Sequence, residues 1–221
     1  MKSTARFWPQ RLSPRRVVNA IRHSRVGDWL WSHRYLVIYR SDRKQSESMA
    51  ALSDRLRANS FEDLEKFDQS ERWLTRDQFL ANARERIADG EVVLTATADE
   101  KLIYYTWLVP GQRNNYFPFV DQSYQFPEGS VISYNSYTHP DARGQGLHKS
   151  GLRAISHWAL SQPDINYVYG AIEIDNRASR HCSESVGRRP FEVLYRKSRF
   201  GRVTKGSLPP SFVRDYDARR G

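Results

Sequence analysis

The stretch Tyr137-Thr138-His139-Pro140-Asp141-Ala142-Arg143-Gly144-Gln145-Gly146-Leu147-His148 shows how this chain is built. A β-branched and aromatic run ends at Thr138, Pro140 cannot donate to a strand ladder, and two glycines open the helical pattern that follows. At a strand-loop-helix junction of this kind the first N–H groups of the helix have no intrahelical acceptor. Glycine lets a ligand approach the backbone closely, and the helix dipole favours negative charge. The segment reads as a phosphate cradle. It lacks the Gly-Lys-Ser/Thr of a P-loop, and Lys149 stands where Gly-x-Gly-x-x-Gly needs its third glycine, so a nucleoside-triphosphate or Rossmann reading is disfavoured.

Working outward, residues 130–138 read as a strand, 147–160 as a helix, 165–174 as a strand, 177–185 as a helix and 191–199 as a strand. Upstream, the run Tyr35-Leu36-Val37-Ile38-Tyr39 is the first strand. Helical stretches follow at 49–58 and 79–88, with a turn or two over 60–67. The second long stretch begins behind the capping-box-like Thr75-Arg76-Asp77-Gln78 and stops at Gly90. Residues 91–97 and 102–109 pair as a hairpin through 98–101. The long segment 110–129, with Tyr116, Phe117, Phe119, Tyr124 and Phe126, is expected to wall an acceptor site. The order predicts an α/β (α+β) three-layer domain over residues 34–205, a mixed central sheet flanked by helices. Ahead of it, Ser13-Pro14 reads as N-cap and first helical residue of a basic amphipathic helix within an extension of residues 1–33, Val17, Val18 and Ile21 sharing one side. Residues 206–221 read as a basic tail.

Composition sets the outer bounds. The 221 residues suit one large domain, and six Trp, twelve Tyr and ten Phe supply enough apolar area for a core. The net charge of +10 is uneven: residues 1–40 carry +8 and residues 188–221 carry +7, leaving the middle at −5. Basic ends on a mildly acidic body suggest docking to an anionic surface, the plainer alternative being solvated tails. No run reaches the roughly 20 apolar residues of a membrane span, and residues 1–10 lack the apolar stretch of a signal peptide. The expected location is cytoplasmic, with peripheral attachment to a membrane left open. One cysteine, Cys182, allows no internal disulfide, and the six histidines show no ligand spacing, so no metal is assigned.

The glycine loop resembles the pyrophosphate loop of the GNAT superfamily of N-acetyltransferases, Arg/Gln-x-x-Gly-x-Gly/Ala. Arg143 takes the first position, Gly146 the second, and His148 the third, where the family carries a small residue. Downstream, Asn176-Arg177-Ala178-Ser179 is similar to the family's Asn-x-x-Ala/Ser, and Gly187 to the glycine that ends its helix. Arg188 replaces the usual phenylalanine, and Ser183 stands where many members have a thiolate-protonating tyrosine.

The resemblance implies an acyl-CoA-dependent N-acyltransferase, with acetyl-CoA or another acyl-CoA as co-substrate. Transfer would run in a ternary complex to an amine of a small molecule or amino sugar. Main-chain groups of Tyr137 and Thr138 would pair with the pantetheine arm. Arg143, Gly144, Gln145, Gly146, Leu147 and His148 would hold the pyrophosphate, and Asn176 with Ser179 would lie beside the thioester. For the base, Glu173 is favoured, because a carboxylate between Ile172 and Ile174 on an alternating strand points away from them; His139 is second. As proton donor Ser183 would act through water, with Tyr134 or Tyr169 as substitutes. Two alternatives stand beside this reading. One is an acyl-carrier-protein donor docked on Arg188, Arg189, Arg196, Lys197, Arg199 and Arg202, or a membrane-side acceptor. The other is a non-catalytic basic module binding nucleic acid or a membrane surface, although nucleic acid is not the expected partner.

Overall fold

The computed structural model describes residues 30–43, 56–69, 74–111 and 113–220, and among these residues it has ten strands and five α-helices. β1 (Trp31–Asp42) carries Val37, Ile38 and Tyr39 with no exposure at all, a continuous apolar run that requires cover on both faces of the sheet. β2 (Arg57–Ala58) and α1 (Phe61–Glu65) follow. α2 (Arg76–Ala88) starts at the expected capping box: Thr75 Oγ1 accepts from the Gln78 N–H, and the Gln78 side chain accepts from the Thr75 N–H. β3 (Val92–Ala98) and β4 (Lys101–Pro110) form a hairpin whose turn residues Asp99 and Glu100 both have positive φ, 47° and 59°.

The aromatic segment folds as a small hairpin, β5 (Asn114–Phe117) with β6 (Gln122–Gln125). Then come β7 (Ser130–Thr138), a 3-10 turn (Pro140–Ala142), α3 (Leu147–Ser161), β8 (Tyr167–Glu173), α4 (Arg177–Ser185), β9 (Arg189–Arg199), β10 (Arg202–Leu208) and α5 (Phe212–Ala218).

The large sheet has the order β10-β9-β1-β8-β7-β4-β3-β2, antiparallel throughout except for the β7–β8 pair. Side-chain alternation assigns its faces. Val168 packs towards α3, and Ile172 and Ile174 lie in the cluster of Tyr35, Val37 and Val213; Tyr169 and Ala171 meet Phe126, Val120 and the β5–β6 hairpin on the other side. Helices α1 and α2 cover that second side at Val93, Leu102, Tyr105 and Trp107. The three-layer mixed sheet is the architecture expected.

Three expectations differ. Of the helix expected over 49–58, Leu56 is buried outside any helix and Arg57–Ala58 form a strand, while residues 49–55 lie outside the described ones, as does the amphipathic helix expected over residues 13–25. Residues 206–221 are not a tail: β10 runs to Leu208, and α5 buries Val213 beside Tyr35 and Val193. The expected first strand lengthens to twelve residues and sits mid-sheet, between β8 and β9.

Candidate active site

β7 and β8 pair from Ser130 opposite Tyr167 to Ser133 opposite Gly170, and there the ladder stops, although β7 continues to Thr138 and β8 to Glu173. On its other edge β7 stays paired with β4 as far as Thr138. The two parallel strands therefore diverge, and the facing edge of β7 beyond Ser133 has no strand partner among the described residues. Such an edge offers main-chain donors and acceptors to an extended ligand.

A bulge shapes this edge. Only Thr106 separates Tyr105 from Trp107 on β4, whereas Asn135 and Ser136 lie between their partners Tyr137 and Tyr134 on β7. Asn135 takes φ 48°, a left-handed conformation that asparagine tolerates better than most residues. The extra residue puts Tyr134 and Tyr137 on the α2 side together and turns the Ser136 hydroxyl to that of Thr106, 2.8 Å away.

Beyond β7 the chain turns through the glycine loop. Gly144 and Gly146 have φ 80° and 75°, and a Cβ built on either meets nothing within 4 Å, so the space above both is open. Gly146 is the N-cap of α3 and supplies no side-chain acceptor, which leaves the first N–H groups of a 15-residue helix facing that space. Arg143 Nε donates to the Thr138 carbonyl at 3.2 Å, tying the loop to the strand end. A cavity of about 900 Å³ brings together Tyr137, Thr138, Arg143, Gly144, Gly146, Leu147, His148, Asn176 and Ser179. Gln145 differs: its side chain folds back to donate to the Asp141 carbonyl at 3.4 Å. Asn176 has a structural duty as well, its side chain capping α4 by accepting from the Ser179 N–H at 3.2 Å. His139 is buried, with Nδ1 accepting from the Asp141 N–H at 3.3 Å, and so it shapes the 3-10 turn.

An inner cavity of about 290 Å³ shares Ser136, His148, Asn176 and Ser179 with the outer one and reaches Tyr134, Glu173, Ser183 and Arg188. Glu173 is exposed at its mouth, pointing away from the cluster that holds Ile172 and Ile174. Ser183 on α4 is 1% exposed. Burial, and then the positive charge of Arg188, push the His148 imidazole down to about 4, so it is neutral at neutral pH. Burial raises the Cys182 thiol.

Tyr134 does not aim its hydroxyl along the cleft. It donates to the Glu91 carboxylate, with O···O distances of 2.7 and 2.6 Å, and burial together with that bond pushes its pKa up to about 12. Tyr169 is fully buried, its ring edge-on to Phe126 with centroids 5.0 Å apart.

Two features lay beyond the sequence reading. Arg86 Nε donates to Glu91 at 2.8 Å, and its guanidinium lies 3.9 Å from the Trp107 ring centroid and 4.5 Å from that of Tyr134, forming a four-residue cluster beside the cleft. Its members come from α2, the β3 approach, β4 and β7, and no local spacing links them. Arg188, expected on a docking patch, is 3% exposed. The available signal was its position: it stands where the resembled family usually carries a phenylalanine, an apolar residue. Of the other residues named with it, Arg196, Lys197, Arg199 and Arg202 lie together on the β9–β10 hairpin, where Arg202 stands opposite Arg199, whereas Arg189 is at the far end of β9.

A third cavity, of about 620 Å³, is lined by Tyr116, Phe117 and Phe119 of the aromatic segment and meets the inner one at Ser133, Tyr134, Asn135 and Ala171. The divergence of β7 and β8 thus opens to both sides of the sheet.

Among solved structures, a GNAT-family protein of Novosphingobium aromaticivorans superposes with a TM-score of 0.50 at 13% identity, covering 74% of this chain and 63% of that one. The chain has the GNAT fold. A GNAT-family acetyltransferase of Colwellia psychrerythraea aligns at 12% identity over 76% of this chain and 55% of that one, TM-score 0.49. An aminoglycoside N-acetyltransferase solved in complex with CoA aligns at 18% identity over 60% of this chain and 89% of its own, TM-score 0.41. The chain spans about three fifths of the length of the first structures it matches. No family model and no curated protein matches the sequence. No described helix is long and apolar enough to cross a membrane, and no cluster of metal-ligating side chains occurs among the described residues.

Proposed function

We propose that this chain is an acyltransferase that moves an acyl group from a CoA thioester to an amine. One observation carries the reading: the edge of β7 that β8 leaves uncovered runs from a diverging parallel pair, through a bulge and a 3-10 turn, to a glycine-lined helix N-terminus with open space above it. An extended pantetheine arm matches that edge, and a pyrophosphate matches that helix end. Arg143, Gly144, Gly146, Leu147, His148 and Lys149 form the anion end; Tyr137 and Thr138 offer the main-chain edge; Asn176 and Ser179 flank the route inward.

In the reaction the amine nitrogen attacks the thioester carbonyl carbon. A C–N bond forms, the C–S bond breaks, the amine proton leaves to a base, and the thiolate takes a proton. Glu173, exposed at the inner mouth, is the proposed base. Ser183, a buried hydroxyl lining the inner cavity, is assigned to relay the thiolate's proton through water. Tyr134, engaged by Glu91, is assigned to hold the acceptor wall rather than to give up its proton. The acceptor enters from the side of the third cavity, whose aromatic lining suits a small molecule with an apolar body.

The test is thiol release from acetyl-CoA and longer acyl-CoAs in the presence of a panel of primary amines. Amine-dependent release is expected, with Glu173→Gln slowing turnover by about 10²-fold or more while CoA still binds. Release indifferent to amine, or unaltered in Glu173→Gln, contradicts the assignment.

A further inference from the structure

Arg188 lies at the closed end of the cleft. Its Nη1 donates to Ser133 Oγ at 3.0 Å, and the same nitrogen would stand 3.1 Å from a Cβ on Gly170, so the guanidinium is laid across the last paired residues of β7 and β8. It is 3% exposed, and its Nε and Nη2 have no hydrogen-bond partner among the described residues. Burial draws its pKa down to about 10, with only the weak acids Tyr104 and Cys182 acting the other way, and the group stays charged at neutral pH. An interior charge without a counter-ion is costly, and such groups are normally paired.

The free donors are specific in shape. Nε–H and Nη2–H lie along one edge of the guanidinium plane, two parallel donors spaced for the two oxygens of a carboxylate. The inner cavity that Arg188 lines presents otherwise neutral groups on the helix side: His148, held neutral there, with Ser183 and Asn176. The carboxylate of that cavity, Glu173, sits at the mouth on the opposite face of β8.

We propose that a substrate of this site carries a carboxylate, which Arg188 takes in a bidentate grip at the closed end of the cleft. The position favours the donor as its source, an acyl thioester of a dicarboxylic acid, because Arg188 lines the inner cavity but not the outer one assigned to the cofactor, and the two cavities join at Ser136, His148, Asn176 and Ser179. The second source is the carboxylate of an amino-acid acceptor. The inference rests on the acyl-CoA reading, and the experiment separates the two.

Calorimetric titration of the full chain with CoA, butyryl-CoA and succinyl-CoA compares donors of equal chain length with and without a terminal carboxylate. The wild type is expected to bind succinyl-CoA about tenfold or more tightly than butyryl-CoA. Arg188→Met, which keeps the volume and removes the charge, is expected to bind both alike and CoA as before. The wild-type comparison stands whether or not the variant folds. If the donors bind alike but transfer favours an amino acid over its decarboxylated amine, with Arg188→Met losing that preference, the carboxylate belongs to the acceptor. CoA binding with neither preference overturns the proposal and leaves the acyl-CoA reading intact. If CoA does not bind, that reading fails by itself. Thermal stabilisation by free succinate over succinamide, present in the wild type and absent in Arg188→Met, then decides the carboxylate site alone, and its absence overturns it.

Discussion

Glu91 connects the chemistry of three neighbours. It accepts from Tyr134 and Arg86, and Arg86 in turn covers the rings of Trp107 and Tyr134. Removing the carboxylate strands a largely buried cation, so Glu91→Ala is expected to cost about 3 kcal/mol in urea unfolding, against about 1 kcal/mol for Tyr134→Phe. Equal costs for the two variants would show that the ion pair contributes little. His148 supplies a pH signature. Its folded pKa is depressed from 6.5 to about 4, so the unfolded chain binds a proton there that the folded chain does not. That contribution is complete above about pH 6.5 and is lost as the pH falls towards 4, amounting to about 3 kcal/mol at most. The urea midpoint should fall less between pH 7.5 and pH 4.5 in His148→Gln than in the wild type; the same fall in both proteins would place the acid sensitivity elsewhere.

At the scale of elements, α3 is the piece that fixes the glycine loop against the sheet. A Cβ on Gly151 would lie 2.1 Å from the Tyr104 hydroxyl, which is itself fully buried, so the helix and β4 approach each other as closely as glycine allows. Gly151→Ala is expected to destabilise by about 1–3 kcal/mol and to weaken CoA binding by lifting the loop; unaltered melting and binding would mean that the contact relaxes freely. The elements that the sequence revealed are those whose signals are local. The Thr75–Gln78 box, the stop at Gly90 and the strand at 130–138 all rest on residues a few positions apart. β10 was hidden because Arg202-Val203-Thr204-Lys205 is an exposed edge with no apolar alternation, and α5 because its burial depends on Tyr35, far away in sequence. In the candidate site, the glycine loop was legible for the same local reason. Arg188 was not, because beside Arg189 it reads as part of a surface charge run, and only the way β9 enters the sheet turns one of the pair inward.

Over the whole molecule, β1 joins two halves of the sheet. It pairs with β8 from Leu36 to Asp42 and with β9 from Trp31 to Arg40, so the β9–β10 side is attached to the cleft strands through it. A chain beginning at residue 44 should therefore fail to fold cooperatively, and a peptide of residues 30–43 added in trans should restore structure by circular dichroism. Cooperative folding of the shortened chain without the peptide would show that β1 is dispensable. The central claim, that the diverging strands and the glycine loop form a CoA site, is tested most directly by calorimetric titration of CoA into the wild type and Gly146→Asp. Aspartate tolerates the left-handed backbone at that position and places a negative charge where the pyrophosphate is assigned. Binding by the wild type that Gly146→Asp abolishes, with an unaltered circular dichroism spectrum, is the predicted result; equal binding by both proteins, or none by the wild type, would contradict it.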